Sequence, residues 1–445
     1  MISTYSWTDC FFIILLIIAF LAILFSMRHP ANLQALQRLL TKPFAVSASI
    51  ILAVFFTLGL LDCIHIGGVG LDERNTALDA VLYPLGSFYE RTFSAPMALN
   101  SYVSEVKMEA NGLVTVRAKL KYPKTFLKNK AQRNKFLARQ IFNSLGLAFL
   151  VGLFLYLGSW ALRSLVAKEV YREYKAAMRA GLITAVVVTL VFAFLYGVSR
   201  ELHVLGTGKI GQDTFYYAIK SIRTGLVIGI LTTLFTLPFA LFLGVAAGYY
   251  GRLIDDIIQY LYTTLSSIPG VLLITASVLS MQTFIANHPT LFTTLAQQAD
   301  ARLLALCIIL GVTSWTSLCR LLRAEALKLR HIDYVVAARC LGVSSIKILR
   351  QHLLPNVMHI VLITLALDFS YLILAEAVLT YVGVGVSPMT ISWGNMINSA
   401  RLELARDPIV WWPMMAAFMF MFTLVLASNV FADAVEEAWN PRANV

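Results

Sequence analysis

The chain has 445 residues, 58% of them hydrophobic and 13% charged, with a net charge of +12 and a mean hydropathy of +0.74. Soluble domains carry about 25% charged residues, so this composition cannot cover a water-exposed surface and argues against a soluble enzyme. The basic residues lie beside apolar spans or in one soluble segment without a nucleic-acid motif, which argues against DNA or RNA as a partner.

A hydrocarbon core of about 30 Å takes roughly 20 apolar residues as helix, and in lipid each amide must bond within its own helix or a closed barrel. The apolar stretches here are too long and uniform for barrel strands. Nine spans are expected, at 11–27, 44–61, 143–162, 180–197, 225–247, 257–281, 302–319, 357–382 and 409–431. The first has no Lys or Arg before it, unlike a secretory leader, and reads as a membrane helix. The expected class is an all-α polytopic membrane protein of about nine transmembrane helices with a small extracytoplasmic α+β insert. Residues 1–61 hold two N-terminal helices, 62–142 the insert, and 143–179 a third helix with a basic loop. In the insert, Leu113–Tyr122 partly alternates apolar and polar after the turn signal Asn111-Gly112, which predicts a strand. Its basic residues suit anionic headgroups, a partner, or plain solvation.

Arg28, Arg38 and Lys42, then Arg163 to Arg179, then Arg320 to Arg350, fall on one side if the helices alternate. Positive loops mark the cytoplasm, which puts the N-terminus outside and the tail inside. Cys10, Cys63, Cys307, Cys319 and Cys340 are scattered without metal-ligand spacing, and no cofactor site is read. Cys10 and Cys63 both fall outside in this topology. Gly206-Thr-Gly-Lys209 departs from the phosphate-loop spacing, so the chain is not expected to bind ATP.

The stretch 325–356 is amphipathic, basic and cytoplasmic. Asp333 is placed to cap a short helix over Tyr334–Leu341, and Gly342 to end it in the left-handed conformation. Ser344 is placed to cap a second helix, closed by Pro355. Tyr334, Ala337, Ala338 and Leu341 share one narrow face, surrounded by Arg330, Arg339, Lys347 and Arg350. Anionic lipid and a protein partner fit this face comparably.

Ala337-Ala338, Gly342 and Leu354-Pro355 resemble the EAA loop of binding-protein-dependent ABC importers. His203-Val-Leu-Gly-Thr-Gly-Lys-Ile-Gly-Gln-Asp213 resembles the HPLGTDxxGRD segment of the C-type permeases of the oligopeptide/dipeptide/nickel family. Leu374–Val386 resembles the LAEAxLSFLGLGV helix end of that family, Ser392-Trp393-Gly394-Asn395-Met396 matches SWGNM, and Trp439-Asn440-Pro441-Arg442 resembles its terminal DPR. Val336 stands where EAA has glutamate, and Gly208 where GTD has aspartate. The family has one helix before the HPLGTD segment and this chain four, so the first three helices and the insert are additions.

The resemblance implies a permease core over 180–445, with a cytoplasmic coupling loop at 320–356 that docks a separate ATPase. The implied docking residues are Tyr334, Val336, Ala337, Ala338, Arg339, Leu341, Gly342, Leu354 and Pro355. It also implies a transport subunit rather than an enzyme, in the bacterial cytoplasmic (inner) membrane. The implied partners are a B-type permease subunit in a heterodimer, one or two ABC ATPase subunits and an extracytoplasmic solute-binding protein, with peptides or a related small solute as cargo. Asp368 and Glu376 are intramembrane carboxylates, each costing about 2.5–3.5 kcal/mol at a helix centre. Pro269 will kink or interrupt its span. These three are candidates for the path or its gating. Trp393, Trp411 and Trp412 read as interfacial anchors. The alternative is a proton-coupled secondary transporter using Asp368 and Glu376. An embedded enzyme finds no nucleophile or metalloprotease motif.

Overall fold

The computed structural model describes residues 6–26, 30–66, 76–83, 85–109, 112–122, 127, 129–165 and 168–439. The turn residue Asn111 and the terminal Asn440-Pro441-Arg442 lie outside the described residues. Helices α1 (Trp7–Ser26), α2 (Pro30–Thr41) and α3 (Pro43–Cys63) precede a segment with the short helix α4 (Ala77–Val81) and the strands β1 (Glu105–Glu109) and β2 (Gly112–Val116). Then follow α5 (Lys130–Leu165), α6 (Lys168–Ser199), α7 (Thr214–Tyr250), α8 (Arg252–Ser267), α9 (Gly270–Asn287) and α10 (Leu295–Leu329). The chain finishes with α11 (Asp333–Cys340), α12 (Ser345–Ile348), α13 (Leu354–Val382), α14 (Trp393–Ala400) and α15 (Trp412–Trp439). Among the described residues eight helices are long and apolar enough to cross a membrane. The all-α polytopic class follows.

The chain divides into two compact units interleaved in sequence. The first comprises 37–224 and 390–427. In it α6 packs on both α3 and α5. A side chain at Gly181 would come within 2.9 Å of Val46, so the glycine sets how closely α6 approaches α3, and the Thr184 and Ser47 hydroxyls bond across the contact at 2.9 Å. On α5, Phe142, Phe149 and Phe154 are about three-quarters exposed, an apolar outer face that suits lipid. The strand read over 113–122 is β2, which pairs antiparallel with β1 and ends at Val116; beyond it a single bridge joins Lys119 to Asn100. The following helix starts at Lys130, earlier than the apolar run, so Lys135 and Arg139 ride on its first turns.

The second unit takes the described residues of 2–36, 225–389 and 428–445. Asp300 on α10 accepts the Trp7 amide at 2.7 Å and the Thr8 hydroxyl, holding the start of α1 where free amides and the helix dipole favour a carboxylate. Gly244 and Gly248 on α7 form a G-x-x-x-G pair. A side chain at either would meet α10 backbone, at the Cys319 carbonyl (2.8 Å) and the Arg323 carbonyl (2.6 Å), which is the close approach small residues provide in membranes.

The expected single span 257–281 is corrected. Pro269 lacks an amide and stands extended (ψ 118°), so the helix breaks there into α8 and α9. Ser267 donates to the Thr264 carbonyl at 2.7 Å, filling one acceptor at the broken end. The 16-residue α8 is amphipathic: its Asp255 and Gln259 receive the Arg323 guanidinium (2.7 and 3.2 Å). The membrane-length helix is instead α9. None of the five cysteines forms a disulfide.

Candidate functional site

The loop between α10 and α13 is built on apolar seats. Val335, Ile348 and Leu353 are fully buried and Ala338 nearly so, in one core with Tyr249, Leu322, Ala326, Val357 and Val361. Val335 and Ala338, three residues apart, form the inner face of α11. Tyr334, Val336, Ala337, Arg339 and Leu341 remain exposed, Leu341 at 82%. Ala338 therefore belongs to the seat and not to the outer face. The cap is Ile332, without a side-chain bond. Asp333 instead occupies the first helical position, where its charge still suits the dipole.

Gly342 ends α11 as read, with φ +75°. The Val343 amide bonds the Ala338 carbonyl (3.1 Å) and the Gly342 amide the Arg339 carbonyl (3.0 Å), the paired bonds of a Schellman end. Ser344 holds the cap position of α12 without a side-chain bond. Pro355 does not close that helix. A π-helical turn over Leu349–Leu353 carries the chain into α13, and Pro355 sits in the first turn of α13, where a missing amide costs nothing. Leu354 is half-buried and Pro355 exposed. Arg339 lies over the Tyr249 ring at 5.3 Å, and the Tyr334 hydroxyl accepts from Asn356 at 3.0 Å.

The 203–213 segment is held by the insert. His203 Nδ1 is 2.6 Å from Asp213 and its Nε2 is 3.8 Å from Glu90; the latter is an ion pair, too long for a hydrogen bond. Glu90 also accepts the Lys121 and Tyr122 amides (2.8 and 2.7 Å). Burial alone would lower the His203 pKa, but the hydrogen bond to Asp213 and the two carboxylate charges outweigh it and push it up to about 9. For Glu90, burial is outweighed by His203 and the two amides, and its pKa is lowered. Thr207 accepts the Ser94 amide at 2.7 Å, and its carbonyl accepts the Trp412 indole at 2.9 Å. Gly206–Lys209 is thus part of this structural seat. Trp393 and Trp412 are buried and hydrogen-bonded, Trp393 to the Ala218 carbonyl at 2.9 Å. Only Trp411 of the three expected anchors is exposed.

A second node lies nearby in the same unit. Lys220 on α7 contacts Asp79 at 2.8 Å and Asp62 at 3.7 Å, and the Thr76 hydroxyl is 2.8 Å from Asp62. Two of these four residues come from the insert and one from α3. Sequence reading missed this node. Its only trace was an aspartate at the end of one apolar span and a lysine near the start of another.

Of the intramembrane carboxylates, Glu376 is buried and accepts the Thr380 hydroxyl at 2.9 Å. Thr380 in turn lies 3.4 Å from the Val386 amide, beside the left-handed Gly383 that ends α13. Asp368 instead lines a cavity of about 360 Å³ together with Thr233, Thr236, Thr313, Ser314 and Tyr371. Gly270, beside Pro269, also borders it. Asp368 and Glu376 are thus not brought together. Among the described residues no group that could hold a metal ion is found.

Helices of this kind, broken by proline, packed through glycines and joined by a seated surface loop, define a polytopic membrane protein. The family model of the binding-protein-dependent transport system inner membrane component matches residues 240–442. A Brucella suis biovar 1 chain named as a candidate peptide transport system permease protein is 30% identical over 244 residues, covering 55% of this chain and 75% of that one. The dipeptide transport system permease protein DppC of Bacillus subtilis is 27% identical over 240 residues, 54% of this chain and 69% of its own. The glutathione transport system permease protein GsiD of Pectobacterium atrosepticum is 28% identical over 241 residues, 54% and 73%. The chain belongs to this family of inner membrane permeases, as a C-type member and a transport subunit rather than an enzyme.

Proposed function

We propose that this chain forms half of the translocation path of an ATP-driven importer for peptides or a related small solute, and docks a separate ATPase through α11. The supporting observation is the two-sided build of that helix. Val335 and Ala338 anchor its inner face, while Tyr334, Ala337 and Leu341 lie exposed beyond it with Ile346 of α12, itself 75% exposed. A rigid, apolar, outward patch suits a groove on another protein. The glutamate of the family motif is the exposed Val336, so shape and the surrounding arginines carry the dock. A B-type permease would complete the path, a solute-binding protein would deliver cargo from outside, and the loop would face the cytoplasm with the N-terminus outside. ATP would then shift a two-state equilibrium, which from 1:99 to 99:1 takes about 5.5 kcal/mol of differential binding. That coupling passes through the seat of α11.

The test replaces outer-face residues in the assembled importer. Leu341→Asp and Ala337→Trp are expected to lower ATP-dependent uptake at least about tenfold, equivalent to ~1.4 kcal/mol, and to release the ATPase from the purified complex, with the permease still folded. Unchanged uptake and unchanged ATPase retention in both variants would sink this reading.

A further inference from the structure

We propose that the Asp368 cavity is a binding site for a cationic hydrogen-bond donor, an ammonium or guanidinium group of the solute being moved. This rests on the chain forming half of the translocation path, and it names which chemistry that path selects.

The lining is defined by where its protons go. A serine or threonine hydroxyl has one O–H and two lone pairs. Thr236 donates to the Thr232 carbonyl at 3.0 Å, Thr313 to the Ile309 carbonyl at 2.8 Å and Ser314 to the Leu310 carbonyl at 2.5 Å. Thr233 donates to the Gly229 carbonyl. With those protons directed into the helices, these four hydroxyls have only lone pairs left to offer, and all four residues line the space. Asp368 adds a carboxylate, which accepts only when ionised. These five acceptors, joined by the Thr316, Ser317 and Tyr371 hydroxyls, which line the same hollow and can accept or donate, favour a group that is all donor, and an ammonium carries three N–H and a guanidinium five. An anion would meet the Asp368 carboxylate as repulsion.

Asp368 also lacks a resident partner. Among the described residues no basic side chain pairs with it. A carboxylate kept within a membrane helix marks function by default, with its counter-charge to be found. The volume, about 360 Å³, equals roughly twelve waters at ~30 Å³ each. It can keep Asp368 hydrated when empty and admit the polar end of a side chain when filled. A proton relay is less well served, because Glu376 is bonded to Thr380 and is not part of this lining.

The experiment uses the whole importer in proteoliposomes, with two readouts. Thr313→Cys is labelled with 2-aminoethyl or 2-sulfonatoethyl methanethiosulfonate, against the parent protein as background. The cationic reagent is expected to react at least about 30-fold faster, equivalent to ~2 kcal/mol, and Asp368→Asn to abolish that ratio. Equal rates with the two reagents, a ratio that survives Asp368→Asn, or no labelling by either would overturn the proposal. Uptake of Ala-Lys-Ala is then compared with Ala-Gln-Ala. Asp368→Asn is expected to lower the first about tenfold more than the second, and Asp368→Glu to restore it. An equal loss of both peptides would mean that Asp368 serves a partner subunit's cation or the fold, and would also overturn it. Charge-selective labelling without uptake of either peptide by the wild type would leave the cation site standing and remove the peptide reading instead.

Discussion

Two loops of this chain, 203–213 and 330–356, use opposite physics for the same task of fixing a connection between helices. Both contain a left-handed glycine, Gly211 (φ +77°) and Gly342 (φ +75°). The first is tied down mainly by polar contacts: His203 between Asp213 and Glu90, and Thr207 among Ser94, Thr92 and Trp412. The second rests on the apolar side chains of Val335, Ala338, Ile348 and Leu353 and leaves its other face open. Buried polar networks specify a single arrangement but leave nothing to offer a partner. An amphipathic helix seated on one face is held and remains available. The segment before α5 contributes to the first kind of loop, through Glu90, Thr92 and Ser94. The role of that region is at least structural.

The largest contrast is expected at Lys220. It is 3% exposed and faces Asp79 and Asp62. Burial opposes the Asp79 charge, but the Lys220 charge and the hydrogen bonds from Lys220 and Tyr216 hold its pKa below the ordinary carboxylate value. Lys220→Met strands two carboxylates, and breaking a buried pair in this way costs about 3–5 kcal/mol. The thermal midpoint of the purified permease should drop sharply. Arg339→Met in the second loop removes an exposed cation over Tyr249, a contact of about 0.5–1 kcal/mol, and should leave the midpoint almost unmoved. Comparable losses in the two variants would erase the distinction between the buried ionic node and the apolar-seated loop.

What the sequence made legible follows the same division. The membrane helices and the α11 glycine end were readable because apolar length and a helix–glycine junction are local signals. At Pro269 a kink or an interruption was readable from the local sequence, but the amphipathic character of α8 was not, because it rests on the Asp255–Arg323 pairing across elements. Ala338 was placed on the outer face because helical spacing sorts residues into faces without saying which face the core takes. The closure of Glu90 on His203 joins positions more than a hundred residues apart, and no spacing rule reaches that far. Asp368 was readable as an intramembrane charge, but the acceptor character of its surroundings depends on where four hydroxyl protons point.

The glycines give a finer test. Gly342→Ala meets nothing within 4 Å, so it should cost only the left-handed backbone penalty of about 1–2 kcal/mol. Gly211→Ala carries the same penalty and also drives its methyl into the Glu90 backbone, an overpacking term of about 1–3 kcal/mol. The second variant should therefore be the less stable in thermal unfolding, by roughly that added term. An equal effect would mean that the insert yields around residue 90 and closes this loop loosely.

The smallest effect, and the one specific to the ionic loop, is a pH dependence. His203 has its pKa raised from 6.5 to about 9, so its contribution is complete below 6.5 and is lost as pH climbs through 9. Glu90 has its pKa lowered from 4.5, so its share is complete above 4.5 and fades as pH falls. These describe one contact from its two sides and do not add. Tyr122, whose ring lies 4.6 Å from the imidazole, has its phenol pKa pushed upward by burial and by Asp213 and stays neutral across this range. The thermal midpoint should accordingly fall as pH rises from about 6.5, where the unfolded state loses its proton, to about 9, and flatten beyond. His203→Gln should start lower and lose that decline, because the group whose deprotonation drives it is gone. The seat of α11 contains no titrating side chain at Val335, Ala338, Ile348 or Leu353, so ATPase retention should stay flat over the same interval. An alkaline decline that persists in His203→Gln would place the sensitive group elsewhere and leave the first loop fixed by packing, as the second is.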